Sequence, residues 1–226
     1  MAAPDSERAS FAMLHDLRLF RTTDAEKVRN YYENEPNAEH IRIRPKDVVK
    51  AAVDIGQVWT MENAAGSIVG VGCRFDYNNS QYLEVGGDVV SKSVGGYRLQ
   101  KMLIAIRLIE MVLLDPESKV FAVVSRANPY HKDSMDSLQA NGFTPFKPPT
   151  NLIEARDDAL KVASDLEGSD YLEHVVTNER RATLKEHFQH FINRTVQNRN
   201  GNDLAQLDLE DRFFSDPDVL AAIETF

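Results

Sequence analysis

The segment from Tyr82 to Ser125 limits the fold most, because it places a glycine-rich turn between an extended run and a long apolar helix. "YLEVGGDVV" reads as a strand with two glycines in its middle, and "SVGGYRLQ" follows it. "KMLIAIRLIEMVLL" then predicts a helix that Asp115 and Pro116 end, and "KVFAVVS" is a β-branched run suited to a buried strand. Glycines inside a strand usually mark a bulge or a close approach of a backbone or ligand. A strand, helix and strand of this kind predict a parallel pair within one sheet.

The remaining segments predict an order β-α-α-β-β-β-α-β-α-β, followed by α-β-α. A short strand precedes a helix that Thr23 caps, with Glu26 completing a capping box. A second helix is expected over 45–55, and "QVWTMENAAGSIVGVGCRF" predicts a β-hairpin. The expected fold class is α/β (α+β): a mixed, mostly antiparallel central sheet flanked by helices. The expected units are a tail (1–16), a main domain (17–178) and a C-terminal helical extension (179–226).

Composition excludes several classes of protein. No apolar run approaches the roughly 18–20 residues of a membrane span, and the N-terminus lacks a signal-peptide pattern, so a cytoplasmic location is expected. The single cysteine, Cys73, excludes an internal disulfide framework and a multi-cysteine metal site. The histidines lack companions at ligand spacing, so no metal is predicted.

Charge is unevenly distributed over a chain of net charge −9. Residues 179–199 are basic and residues 203–224 are acidic. This pattern favours two amphipathic helices that neutralise one another, within the chain or across a homodimer. A basic helix that contacts a phosphate or a nucleic acid is the alternative.

Two local patterns occur in order along the chain. In "VVSKSVGGYRLQKML", Val89 and Val90 end a strand and a glycine turn opens a helix. In "VVSRANPYHKDSMDSLQANGF", a strand leads to Asn128, a polar helix and Gly142-Phe143. With the order of elements, these patterns resemble the GNAT superfamily of acyl-CoA-dependent N-acyltransferases over residues 17–146, and more loosely through "YLEHVV". The resemblance implies transfer of an acyl group, with acetyl favoured, from acyl-CoA to an amine acceptor by direct attack, with no membrane partner.

The same resemblance implies where coenzyme A binds. Successive backbone N–H groups at a helix N-terminus can hold a pyrophosphate. Lys92, Arg98 and Lys101 could add positive charge. Gly96 matches the family turn, whereas Gly95, Arg98 and Gln100 depart from it. The implied cofactor-binding residues are Val89, Val90, Val94, Gly95, Gly96, Tyr97, Arg98, Leu99, Gln100 and Asn128.

The resemblance also implies catalytic roles. A carboxylate on the strand before the turn would relay a proton from the amine, and Glu84 is favoured over Asp88. An unbroken strand would place these two on one face, and a bulge at Gly86–Gly87 would separate them.

The general acid is a further implied role. The position of the family's tyrosine acid is Leu138, so Tyr130 or His131 is expected to substitute, while Asn128 is expected to contact cofactor or substrate. These departures leave open a catalytically degenerate binding or interaction module. The basic segment 179–199 leaves open an acyl-CoA-dependent enzyme that modifies nucleic acid.

Overall fold

The computed structural model describes residues 17–40, 44–77, 82–94, 99–114, 119–160, 163–175, 195–197 and 204–209, and the single positions 182, 217 and 221. The strands are β1 (Leu17–Arg21), β2 (Val58–Glu62), β3 (Ile68–Asp76), β4 (Tyr82–Val90), β5 (Lys119–Ser125), β6 (Phe143–Pro145), β7 (Ser169–His174), β8 (Thr195–Gln197) and β9 (Leu204–Leu209). The helices are α1 (Ala25–Asn34), α2 (Lys46–Asp54), α3 (Leu99–Leu114), α4 (His131–Ala140) and α5 (Thr150–Leu160).

The strands form one mixed sheet in the order β6-β7-β5-β4-β3-β2-β1-β9-β8. The pairs β4–β5 and β1–β9 are parallel, and the other described pairs are antiparallel. The predicted fold class is therefore confirmed, including the parallel pair on either side of α3. None of the described helices is long and apolar enough to cross a membrane.

Hydrophobic cores lie on both faces of this sheet. The core that contains α3 takes Leu103 and Ile106 of that helix, together with side chains such as Leu83 and Val85 of β4. The opposite core contains residues of α1, α2 and α5, together with Val71 and Val89. Helix α3 is apolar on nearly all sides because it lies between the sheet and α4.

A bulge interrupts β4, as its glycines predict. The register between β3 and β4 shifts between Val71 and Cys73, and Gly87 has φ +64°. Leu83 and Val85 face the α3 side, whereas Val89 faces the other side. Because side chains alternate along a strand, one inserted residue transfers every later side chain to the opposite face.

Substituting the bulge glycine should destabilise the protein. A Cβ on Gly87 would lie 2.9 Å from Tyr32 Oη, in a left-handed conformation. We expect Gly87→Ala to lower the free energy of unfolding by about 2–4 kcal/mol, since strain and overpacking add. Gly66→Ala is the matched control. Gly66 also has a left-handed backbone, with φ +74°, but a Cβ there would lie 4.0 Å from Glu62 Oε2. We therefore expect this variant to lose about 1–2 kcal/mol of unfolding free energy, from backbone strain alone. If urea denaturation gives the two variants the same loss of unfolding free energy, the contact with Tyr32 has no energetic cost.

Two local predictions were wrong. Helix α1 is capped by Asp24 and not by Thr23: Asp24 Oδ1 accepts a hydrogen bond from Lys27 N at 2.9 Å. A carboxylate is favoured there because it also faces the positive end of the helix dipole.

The C-terminal extension was predicted as helical; the described positions 182, 217 and 221 are helical, but 195–197 and 204–209 form β8 and β9. In "LAQLDL" the last two leucines alternate with polar residues, and β1 offers an open edge for pairing through Leu17↔Leu207 and Leu19↔Leu209. Most of 179–226 and the whole tail 1–16 lie outside the described residues. The homodimer and the nucleic-acid alternative therefore stay predictions.

Candidate active site

Strands β4 and β5 separate at the centre of the sheet. Their register consists of Tyr82↔Lys119, Leu83↔Val120 and Glu84↔Phe121. Beyond that point β4 continues beside β3, and β5 continues beside β7. A cavity of about 390 Å³ lies in the gap, lined by residues 84–88 of β4 and 122–125 of β5.

Side chains from both faces of the sheet line this cavity. On the α3–α4 side they are Gln100, Ile104, Ser134 and Leu138. On the opposite side they include Arg44, which precedes α2, and Arg156 of α5. The cavity therefore passes between the two strands.

Glu84 is held by two arginines. Arg44 Nη2 donates to Glu84 Oε1 at 2.6 Å, and Arg156 Nε donates to Oε2 at 3.0 Å. The Tyr77 hydroxyl also donates to this carboxylate. Burial by itself raises the pKa of Glu84. The two guanidinium charges and the hydrogen bonds lower it by more than burial raises it, and the resulting pKa is about 2. A carboxylate this weakly basic is a poor proton acceptor at neutral pH, which argues against the role of base predicted for Glu84.

Asp88 faces the other side of the sheet, on the α3 face. Its Oδ1 accepts from Arg107, a fully buried residue of α3 that also donates to the carbonyls of Cys73, Gly86 and Leu103. Burial raises the pKa of Asp88, and Arg107 opposes that rise. Within the described part of the chain no group donates to Asp88 Oδ2, and Asp88 lines the cavity.

Of the three residues predicted to act near the start of α4, the structure places one beside the cavity. Asn128 lines the cavity, and its Oδ1 accepts from Tyr130 N at 2.9 Å, so its side chain also forms the turn into the helix. Tyr130 is 41% exposed and is not among the lining residues. His131 Nε2 contacts Asp170 Oδ2 at 2.7 Å, away from the cavity. The structure therefore does not bring either predicted acid to the gap.

Ser134 lines the cavity, and sequence reasoning did not identify it as a candidate site residue. It lies one helical turn before Leu138, so both line the cavity from the same face of α4. The spacing of four residues was the only available signal, and a serine in a polar helix is weak evidence.

The predicted cofactor residues are described in part. Val94 and Leu99 have buried side chains in the core that contains α3, and Gln100 lines the cavity. The carbonyl of Val90 accepts from Asn37 Nδ2 at 2.9 Å, and the carbonyl of Val89 from Tyr31 Oη at 3.5 Å. Gly95, Gly96, Tyr97 and Arg98 lie outside the described residues, so their roles stay predictions.

No metal-binding arrangement of three or more His, Cys, Asp and Glu side chains occurs within the ranges that the structure describes.

Solved structures with this architecture are numerous, although no protein-family model and no curated protein matches the sequence. Rv2747 from Mycobacterium tuberculosis, solved with CoA, superposes on 72% of this chain and 99% of its own, with TM-score 0.50 and 16% identity. Naa50 from Arabidopsis thaliana, in complex with the bisubstrate analogue CoA-Ac-MVNAL, superposes on 71% of this chain and 99% of its own, with TM-score 0.50 and 11% identity. The chain has a GNAT fold.

A third structure with a GNAT-like part is longer than this chain. N-acetylglutamate synthase from Neisseria gonorrhoeae, complexed with coenzyme A and L-arginine, matches over 73% of this chain and 34% of its own, with TM-score 0.51 and 11% identity. In this chain the cavity between β4 and β5 is lined by residues 84–88 of β4 and by Gln100 in the first turn of α3.

Proposed function

We propose that this chain transfers an acyl group, with acetyl favoured, from acyl-CoA to an amine acceptor. The observation that carries the proposal is the cavity between the separated strands, lined from both faces of the sheet. A thioester that enters from the α3–α4 side and an amine that enters from the other side would meet between β4 and β5. Holding two reactants in contact in this way supplies much of the catalysis in such a transfer.

The lining of the α3–α4 side fits an acyl-pantetheine chain. Ile104 and Leu138 provide apolar contact, and Gln100, Ser134 and Asn128 provide polar groups. Among the described strands, none pairs with β4 beyond Glu84 on the β5 side. Structures of this fold that contain CoA support the same interpretation. When bound, acyl-CoA would supply an activated carbonyl.

The chain's own residues would then accept the proton of the amine and stabilise the departing thiolate. We assign the proton acceptor for the attacking amine to Asp88, because its Oδ2 is not engaged by a described donor and burial raises its pKa. Glu84 would instead position Arg44 and Arg156. Ser134 would donate a hydrogen bond to the departing thiolate, in the region where Leu138 offers no proton.

Binding of acetyl-CoA tests this proposal directly. A ligand present at about 100 times its Kd should stabilise the folded protein by about 2.7 kcal/mol, measured as a rise in Tm. Ser134→Trp should weaken acetyl-CoA binding at least about tenfold, because the indole would fill the gap beside β4. Lys132→Trp is the matched control on an exposed position of α4, and it should bind as the wild type does.

Transfer is measured by release of the CoA thiol with a panel of small amines. Absence of any Tm rise at millimolar acetyl-CoA would overturn the proposal. Binding without amine-dependent thiol release would favour the second candidate, a binding module that has lost catalysis. The ion pairs of Glu84 and the apolar Leu138 are the observations that keep that candidate open.

A further inference from the structure

Two arginines from distant parts of the sequence meet at one end of the cavity. Arg44 lies just before α2, and Arg156 lies on α5, which is inserted between β6 and β7. Their side chains are only 8% and 6% exposed, and both line the cavity. Burying two cations so close together is costly unless anions compensate them.

One carboxylate compensates them only in part. Glu84 lies between the two guanidinium groups and is ion-paired with both. Asp88, the other buried acid of the cavity, is paired with Arg107 on the opposite face. Asp165 also lines the cavity, but it is exposed to solvent, which screens its charge. Among the described residues Glu84 is thus the one buried carboxylate in direct contact with the two arginines, and the half-buried Asp157 reaches Arg156 only through Ser164. The excess positive charge is therefore centred on Arg44.

The unused hydrogen-bond donors belong mainly to Arg44. Each nitrogen of Arg156 already donates one hydrogen bond, from Nε and Nη2 to Glu84 and from Nη1 to Ser164 Oγ at 3.1 Å. In the described part of the chain Arg44 donates from Nη2 alone; its Nε has no partner but is closed off from solvent, so Nη1 is the donor left for an incoming group. The ring of Phe75, 5.0 Å from the Arg44 guanidinium carbon, holds the group in place. A buried guanidinium with spare donors is suited to bind an oxyanion.

We propose that the amine acceptor carries a carboxylate, which Arg44 binds with help from the charge of Arg156. This inference rests on the proposed function and names the class of acceptor. A carboxylate would compensate the excess positive charge beside Glu84, and the Nη1 of Arg44 is free to donate to one of its oxygens. With its carboxylate on Arg44, the acceptor would extend its amine toward the gap between β4 and β5. Glu84 fixes both arginines before the acceptor arrives.

Matched pairs of acceptors test the proposal. Glycine and 4-aminobutyrate are compared with their carboxamides in the thiol-release assay, with rates expressed per neutral amine because the amine pKa values differ. We expect kcat/KM at least about tenfold higher for the carboxylates, the discrimination typical of a charge-assisted hydrogen bond. In Arg44→Gln the preference should fall below about threefold, and Arg44→Lys should restore part of it.

A binding measurement separates this inference from the proposed function. Butyrate should raise the Tm of the wild type in the absence of CoA, butyramide should not, and Arg44→Gln should abolish the rise. Transfer that treats carboxylates and carboxamides alike would overturn the inference and leave the proposed function standing. Butyrate binding that depends on Arg44, without transfer to any amine, would support the anion site and overturn the proposed function. If Arg44→Gln does not fold, Arg44→Lys in the same assays carries the test: a preference equal to that of the wild type would contradict the proposal.

Discussion

Arg107→Met should lower the free energy of unfolding by about 3–5 kcal/mol, which is a large part of the stability of an ordinary domain. Arg107 is fully buried and donates to Asp88 and to the carbonyls of Cys73, Gly86 and Leu103. Methionine would fill the space but would leave a buried carboxylate without a counter-charge. Urea denaturation with a two-state fit measures the loss.

Two further variants identify the cause. Arg107→Lys keeps the charge but not the planar set of donors, so it should lose less than Arg107→Met. Adding Asp88→Asn to Arg107→Met should recover part of the loss, because no buried charge then lacks a partner. A loss below about 1 kcal/mol for Arg107→Met would show that the buried pair is not needed for stability.

Acidification should weaken the fold through Glu84. The pKa of this carboxyl is lowered from 4.5 to about 2, because Arg44, Arg156 and two hydrogen bonds outweigh the effect of burial. A lowered pKa means that the unfolded chain binds the proton first, so the contribution is present above pH 4.5 and is lost as the pH falls to 2. The whole contribution is about 3 kcal/mol, and unfolding free energies measured between pH 6 and pH 2.5 should show most of it.

Glu84→Gln is the control for this pH dependence. Asp88 has a raised pKa and contributes in the opposite sense, so the difference between wild type and Glu84→Gln isolates Glu84. At pH 7 the variant should be about 3–5 kcal/mol less stable, since both arginines lose their counter-charge. The difference between the two proteins should shrink as the pH falls. A difference that is constant from pH 6 to pH 2.5 would contradict the ion-paired state of Glu84.

The two predictions concern opposite faces of the same bulge. Glu84 precedes Gly86–Gly87 and joins Arg44 and Arg156, whereas Asp88 follows them and joins Arg107. Gly72 on β3 leaves room for the second pair: a Cβ there would lie 2.9 Å from Arg107 Cζ. The bulge thus separates Glu84, which organises the acceptor side, from Asp88, the proposed proton acceptor, which lines the same cavity from the α3 face.

Local sequence determined most of the order of elements. Helix α2 spans Lys46–Asp54, against a prediction of 45–55, and the hairpin β2–β3 turns at Asn63–Gly66 as its turn residues predict. These features follow from the period of apolar residues and from turn chemistry, which act over a few residues. The same local rules failed for β8 and β9, because β9 forms on the free edge of β1 and β8 forms on β9.

The candidate site likewise has features that local sequence predicts and features that only tertiary structure decides. The glycines of β4 predicted a bulge, because that effect is local. The sequence could not decide that Glu84 would be neutralised by Arg44 and Arg156, since each of these residues looks like an ordinary surface charge in its own segment. Only tertiary structure brings them together, and the electrostatic energy of a buried ion depends on its neighbours in space. The sequence therefore determined the scaffold around the cavity, and the packing of α2, α5 and α3 on the sheet decided which charges face it.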